Sequence, residues 1–271
     1  MLIDTHCHIQ DDFPLPLADV LRHAHQNDVQ KMIAVGTDIA SSQKALELAQ
    51  NHNDIYAIIG VHPHESKEGF SEIGSMAKRT LLTPGDVAKG ATANGASVND
   101  VAGATLVGIG EIGLDYFYDN SPRDVQQKAL TEQIEVALRY DLPISFHVRE
   151  AFDDFWPIFD SFHGIRGVLH SFTDSRDNLE KGLARNLFIG LNGISTFTKD
   201  VAQQYLFDAI PLERIIFETD APFLTPKPYR GKVNEPAYVR NIADYHALRR
   251  NISLMRIADA TTHNATALFN L

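Results

Sequence analysis

Short apolar runs rich in β-branched residues recur along the chain and alternate with stretches of helical period. Uninterrupted apolar runs of this length are typical of strands that are buried on both faces of a parallel sheet. They predict eight strands, at residues 1–5, 31–36, 56–61, 106–111, 143–146, 167–169, 187–190 and 214–218.

Between most of these strands, apolar residues return every three or four positions, as on one face of a helix. Ser121 is the predicted N-cap of one such helix, with Pro122 at its first helical position. Alternating strands and helices indicate a parallel sheet with right-handed crossovers. Eight repeats in 271 residues favour an α/β fold, a single (β/α)8 TIM barrel that spans residues 1–271. An open doubly wound sheet is the alternative, but no glycine-rich turn follows the first strand.

One segment, at about residues 83–104, departs from this rhythm. It contains four glycines and six alanines and has no aromatic residue. We interpret it as an inserted surface loop on a helix-to-strand connection, at the face of a barrel that is remote from catalysis. A contact between subunits is the alternative interpretation.

Charge, apolar runs and cysteine content argue against several classes of protein. The net charge of −11 argues against a protein that grips long duplex DNA through many phosphates. No run reaches the roughly 18 apolar residues of a membrane helix, and the first residues do not resemble a signal peptide. Cys7 is the single cysteine, which excludes an intramolecular disulfide. We therefore expect a cytoplasmic protein without membrane contact, and a monomer because no long apolar surface stripe is visible.

Side chains that bind metals fall at the ends of the predicted strands. His6 and His8 are two residues apart, so they point to the same side of the first strand. A barrel gathers the C-terminal ends of its strands at one mouth, where barrel enzymes place their chemistry. A single histidine is more often a core or surface residue, but this clustering predicts a metal site. The other candidates are His62, His64, Glu111, His147, His170, Glu218 and Asp220.

Mixed imidazole and carboxylate ligands favour Zn²⁺, Mn²⁺, Fe²⁺, Co²⁺ or Ni²⁺, with Mg²⁺ as an alternative. The number of candidates suggests two divalent ions, with Glu111 as the bridging ligand. Alternation turns Cys7 away from the metals, and Trp156 with its neighbouring phenylalanines is interpreted as packing. The remaining histidines are predicted to be solvated or capping: His23, His25, His52, His163, His246 and His263.

These motifs, in this order, resemble the TatD family of metal-dependent deoxyribonucleases. The resemblance rests on Asp4-Thr5-His6-Cys7-His8, Gly60-Val61-His62-Pro63-His64, Gly110-Glu111-Ile112-Gly113-Leu114-Asp115-Tyr116, His147-Val148-Arg149-Glu150-Ala151, Leu169-His170-Ser171-Phe172, Glu218-Thr219-Asp220-Ala221-Pro222, and shorter matches up to Ala265.

The resemblance implies a barrel with a two-metal site. His6, His8, Glu111 and Asp220 would bind the first ion, and Glu111, His147 and His170 the second. His62, His64, Arg149, Arg230 and Glu218 would lie near the substrate. The implied activity is hydrolysis of DNA phosphodiesters, often from the 3′ end.

The candidate residues are also suited to hydrolysis on physical grounds. Two metals can activate a water and neutralise an anionic phosphodiester, and Asp220 is the candidate to orient and deprotonate that water. Arg149 and Arg230 could bind phosphate oxygens with forked hydrogen bonds. Because the chain is acidic, single-stranded or frayed DNA ends are the expected substrate. The alternatives are a binuclear amidohydrolase or lactonase, and a non-catalytic barrel stabilised by metal. No Gly-X-Ser-X-Gly, phosphate-loop or Cys-X-X-Cys motif offers a competing chemistry.

Overall fold

The computed structural model describes residues 1–10, 12–81 and 105–271. The predicted insertion at 83–104 lies outside the described residues. All eight predicted strands are present, and several are longer than predicted. They are β1 Leu2–Cys7, β2 Val29–Val35, β3 Ile55–Ile59, β4 Leu106–Asp115, β5 Ile144–Arg149, β6 Gly167–Leu169, β7 Phe188–Leu191 and β8 Ile215–Phe217.

The eight strands lie in sequence order in one sheet. Strand pairs such as β1–β2, β4–β5 and β7–β8 are parallel. The two ends of the strand order also meet, because Cys7 forms a parallel bridge with Ala221 and the Thr5 hydroxyl donates to the Phe217 carbonyl at 3.0 Å. Sequential parallel strands with helices between them confirm the predicted (β/α)8 TIM barrel.

Helices connect the strands. They are α1 Leu17–Gln26, α2 Ile39–Asn51, α3 Ile73–Leu81, α4 Arg123–Arg139, α5 Phe152–Asp160, α6 Arg176–Ala184, α7 Ile194–Phe197, α8 Val201–Ala209, α9 Val239–Arg249 and α10 Leu254–Phe269, with 3-10 turns at Pro63–Glu68, Leu212–Arg214 and Pro236–Tyr238. Within the described ranges, no helix combines the length and apolar character that crossing a membrane requires.

Local side-chain caps explain where some helices begin. The Asp38 carboxylate accepts from the Ser41 amide ahead of α2, and Asp200 caps α8 in the same manner. The prediction that Ser121 caps α4 is wrong, because the helix begins one residue later, with Pro122 as its N-cap. The Ser121 hydroxyl instead donates to the His64 carbonyl at 2.7 Å.

The described residues divide into two compact units. The first contains Met1–Ala34 and Val168–Phe269, and large buried side chains such as Ile33, Phe207, Phe217 and Phe269 fill its interior. Cys7 is fully buried there and its thiol donates to the Ile33 carbonyl at 3.3 Å, so it packs as predicted.

The second unit contains Val35–Gly167. Phe146 on β5 packs edge-on against Phe155 of α5, with ring centroids 5.2 Å apart. Trp156 stacks on Phe152 within the same helix, and all four rings are buried. The interpretation of this aromatic group as packing is therefore confirmed.

Candidate metal centre

The first unit brings three candidate metal-binding histidines to one carboxylate oxygen of Asp220. His8 Nε2 lies 3.3 Å from Asp220 Oδ1, His170 Nε2 lies 3.8 Å from it, and His6 Nε2 lies 3.9 Å from it. Ligands bind transition metals at about 2.0–2.2 Å, so atoms that share one ion stand roughly 3–4 Å apart. His6, His8 and Asp220 also satisfy a common metal-ligand spacing. This donor set therefore fits a divalent transition metal.

The position of Asp220 is fixed by its backbone. Asp220 has a φ of 57°, in the left-handed region, where aspartate and asparagine are tolerated better than most residues. Its amide donates to the His6 carbonyl at 2.8 Å, which joins the loop after β8 to β1. Burial raises the pKa of Asp220, but hydrogen bonding to His8 and the charges of His170, His8 and His6 outweigh it. The net result is a lowered pKa, which favours a carboxylate.

Asp4 supports this loop from β1. Its fully buried carboxyl accepts from the Thr219 amide at 2.9 Å and also from the Thr219 hydroxyl. Burial raises the pKa of Asp4 to about 8, although the hydrogen bonds from Thr219 act in the opposite direction. Asp4 thereby holds the residue that immediately precedes Asp220.

Glu218 lies behind His170. Its Oε1 lies 3.0 Å from His170 Nδ1 and accepts from the Ser171 amide at 2.7 Å. The carboxylate also packs on Gly190, where an added Cβ would lie 2.6 Å from Oε2. Glu218 is only 1% exposed. This geometry favours orientation of a histidine ligand over the substrate contact that the resemblance implied.

The second unit contains a separate group around Glu111. His147 Nδ1 lies 2.8 Å from Glu111 Oε1, and His62 Nε2 lies 3.6 Å from the same oxygen. Together these three residues have the spacing of a metal-ligand set. Glu111 lies in the middle of β4 and His147 lies within β5, which corrects the prediction that every candidate lies at a strand end. The bridging role of Glu111 remains a prediction.

Asp115 holds the other side of the His147 ring. Its Oδ2 lies 2.9 Å from His147 Nε2 and 3.1 Å from His64 Nε2, while its Oδ1 accepts from the amides of Phe117 and Tyr118. Burial raises the pKa of Asp115, but these hydrogen bonds and the histidine charges outweigh it and hold the pKa well below its usual range. A carboxylate on the second ring nitrogen fixes the orientation of a histidine ligand.

Two glutamines on α4 position the strand ends of this group. Gln133 forms hydrogen bonds with both the amide and the carbonyl of Val61, directly before His62. Gln126 does the same for Asp115, at 2.9 and 3.2 Å. Because both amide side chains are buried and paired, they fix the backbone next to the chemistry-bearing residues.

The hydrogen bonds of His62 indicate its role. Burial first, and then the neighbouring His147, hold the pKa of His62 well below its usual value, so the ring is neutral. Its Nδ1 accepts from the His64 amide at 3.2 Å, which places the single ring proton on Nε2. An Nε2–H group donates a hydrogen bond and does not bind a metal. The structure therefore favours His62 as a hydrogen-bond donor, although its spacing alone would allow it as a ligand.

The two predicted substrate-binding arginines stand on aromatic rings. The Arg149 guanidinium lies 3.9 Å from the Phe117 ring centroid, and that of Arg230 lies 3.7 Å from the Phe197 ring centroid. Arg230 also donates to the Thr225 carbonyl at 2.8 Å. Both arginines are exposed residues.

The sequence analysis assigned no role to two buried acids. Asp4 and Asp115 support the candidate ligands, and strand alternation could have revealed them, because Asp4 shares a strand face with His6 and Asp115 shares one with Glu111.

The prediction that His246 is solvated or capping is wrong. His246 is buried, its Nε2 lies 2.8 Å from the Ser195 hydroxyl, and its ring stacks on Phe217.

Comparison with known proteins shows the family of the chain. The family model described as TatD related DNase matches residues 3–270. The chain belongs to the TatD family. It is therefore a metal-dependent hydrolase by family, with histidine, glutamate and aspartate groups that could bind metal.

Individual relatives match along nearly the whole length. The chain is 33% identical over 274 residues to the protein described as the uncharacterized metal-dependent hydrolase YabD of Bacillus subtilis, with 100% of both chains covered. It is 33% identical over 260 residues to the 3′-5′ ssDNA/RNA exonuclease TatD of Erwinia tasmaniensis, with 93% of each covered. The crystal structure of the TatD homologue YjjV from Escherichia coli K12 superposes with a TM-score of 0.84 at 28% identity, covering 100% of this chain and 98% of that one.

Proposed function

We propose that this TatD-family hydrolase is a deoxyribonuclease that cleaves phosphodiester bonds at single-stranded or frayed DNA ends. The observation that carries the proposal is the convergence of His6, His8 and His170 on Asp220 Oδ1, within 3.3–3.9 Å. Imidazole rings around one carboxylate oxygen are a donor set for a hydrolytic metal ion. A relative that shares a third of its residues is named as an ssDNA/RNA exonuclease, which supports a nucleic-acid substrate.

Two divalent ions are proposed, one for each group of donors. His6, His8 and Asp220 would hold one ion, and Glu111 with His147 the other. His170, which the resemblance placed at the second ion, is assigned to the first, because its Nε2 lies 3.8 Å from Asp220 Oδ1. When bound, such ions supply Lewis-acid activation of water and neutralise phosphate charge. In this assignment Glu218 orients His170, and Asp115 orients His147.

The remaining roles follow from protonation and charge. Asp220, an ionised carboxylate, would accept the proton of the attacking water. His62 would donate its Nε2–H to a phosphate or leaving-group oxygen. Arg149 and Arg230 would bind phosphate oxygens with their remaining N–H groups. His64 is held by Asp115 at 3.1 Å and would line the substrate side.

The acidic balance of the chain limits how substrate is bound. With a net charge of −11, the chain offers no general basic excess for long duplexes. Binding would be local, at the donor groups and the two arginines. An amide or lactone substrate is the alternative, and related binuclear barrels commonly bridge their metals with a carbamylated lysine. In this chain Glu111 stands on β4, which favours phosphodiester hydrolysis.

A substrate panel tests the proposal. The protein is loaded with Mg²⁺, Mn²⁺ or Zn²⁺. It is then incubated separately with labelled single-stranded DNA, duplex DNA, RNA, and cyclic amides and lactones. We expect fastest cleavage of single-stranded DNA, and a fall of at least about 100-fold in turnover for Asp220→Asn, a change that suits the same left-handed backbone. Asp259→Asn, an exposed change on α10, is the matched control and should retain full activity. Cleavage of a lactone or amide without cleavage of any phosphodiester would refute the proposal.

A further inference from the structure

Two adjacent aromatic residues stand exposed directly after β4. Phe117 is 49% exposed and Tyr118 is 55% exposed. Their amides donate to Asp115 Oδ1, each at 3.0 Å, so the backbone that carries them is fixed to the strand end. We call Phe117 and Tyr118 the aromatic platform. Its exposed apolar area lies just beyond the end of β4, the strand that carries Glu111.

The aromatic platform is ordered by its neighbours. The two rings contact each other edge to face at 4.8 Å, and the Tyr118 ring contacts His64 at 5.3 Å. The Arg149 guanidinium lies 3.9 Å from the Phe117 centroid and 4.9 Å from that of Tyr118. One side of each ring is thus supported by a cation or an imidazole, while about half of the side chain stays open to solvent.

The aromatic platform is connected to the candidate metal ligands through short contacts. His64 lies 4.4 Å from the His62 ring, and it shares the carboxylate of Asp115 with His147. A ligand that stacks on Tyr118 therefore lies next to the residues assigned to phosphate hydrolysis. Arg149 adds a positive charge on the same surface.

We propose that Phe117 and Tyr118 stack on a nucleobase of the single strand, next to the phosphate to be cleaved. The inference rests on the proposed nuclease function and names the group that the substrate offers besides phosphate. Stacking on aromatic rings binds any base and needs no excess of basic residues, which suits a chain of net charge −11. A paired base in duplex DNA keeps its faces covered by its neighbours, so this surface selects unpaired ends.

Kinetic measurements on matched oligonucleotides test the platform. Phe117→Leu and Tyr118→Leu keep apolar volume but remove the ring, and the double variant removes both. Each is compared with the unsubstituted chain on single-stranded DNA, and on the same strand with abasic nucleotides placed one at a time from the 3′ end. Tyr205→Leu is the control, because Tyr205 is 70% exposed on α8.

We expect the double variant to raise KM for normal DNA by about 5- to 150-fold, the range expected for one stacked base, with kcat little changed. On the strand whose abasic position removes the stacked base, the double variant and the unsubstituted chain should have the same KM. Tyr205→Leu should match the unsubstituted chain throughout.

Two outcomes would overturn the inference. One is an unchanged KM in the double variant. The other is a loss of kcat at constant KM, which would assign these rings to support of His64 and Asp115. Failure of the nuclease function itself is distinct, because the unsubstituted chain would then cleave no oligonucleotide at all.

Discussion

Glu218 should tune the affinity for metal through His170 without contacting the metal. Both of its short contacts, with His170 Nδ1 at 3.0 Å and with the Ser171 amide at 2.7 Å, go to the same oxygen, Oε1. Glu218→Gln keeps an oxygen at this position and a similar volume against Gly190. The substitution therefore removes the negative charge while preserving the packing.

The expected loss can be worked out from these contacts. A hydrogen bond to a charged acceptor contributes about 1.5–3 kcal/mol to stability, and a hydrogen bond to a neutral acceptor contributes about 0.5–1.5 kcal/mol. The difference for the hydrogen bond to His170 is about 1–1.5 kcal/mol, which corresponds to roughly 5- to 12-fold weaker metal binding. Removal of partners that orient metal ligands typically weakens affinity or activity by about 10- to 100-fold, so Glu218→Ala should cost more than Glu218→Gln.

Metal affinity is measured by competition with a chromophoric chelator, alongside kcat and KM on single-stranded DNA. Glu213→Gln is the control, because Glu213 is exposed on the 3-10 turn that precedes β8. Metal affinity in Glu218→Gln equal to that of the control would refute the positioning role. A raised KM with normal metal affinity would instead indicate that Glu218 contacts the substrate, as the resemblance implied.

Two further predictions concern stability. Burial, and then the charge of Arg250, lower the pKa of His246 to about 3, so the unfolded chain takes up this proton first as the pH falls. The contribution of His246 to stability is then fully present well above pH 6.5, and about 2 kcal/mol of it is lost by pH 5. In urea titrations His246→Gln should lack this share of the decline; an identical decline in the variant would contradict the assignment. Separately, free metal at 100 times its dissociation constant should raise the free energy of unfolding by about 2.7 kcal/mol for each ion bound, and equal urea midpoints with and without chelator would contradict specific binding to the folded chain.

The alternation of strands and helices was sufficient to predict the fold. A strand that is buried on both faces, such as β4, has a nearly continuous apolar sequence. Eight such strands separated by helices are compatible with few chain topologies. Element ends were less predictable. β4 continues to Asp115 because Gly113 permits a close approach to β5, where an added Cβ would lie 1.7 Å from the His147 carbonyl oxygen. Such tertiary contacts cannot be seen in a local sequence pattern.

The candidate site was predictable in its residue types and less so in its details. Strand-end histidines and acids identified His6, His8, His170 and Asp220, which the structure brings together. The tautomer of His62 depends on a backbone amide two residues away, and the burial of Glu218 depends on Gly190 across the sheet. Neither contact follows from spacing. The burial of His246 was not predicted, because a histidine on an amphipathic helix is usually solvated. Its buried hydrogen-bond partner, Ser195, is known only from the structure.

The most direct test of the account is a metal titration of hydrolysis. The protein is treated with a chelator and then reloaded stepwise with one divalent metal. The amount of bound metal and the rate of cleavage of a single-stranded oligonucleotide are measured in the same samples. We expect no cleavage without metal, and cleavage that rises with metal occupancy and saturates at two ions per chain. Equal cleavage by the metal-free chain, or a fully loaded chain that cleaves no phosphodiester, would contradict it.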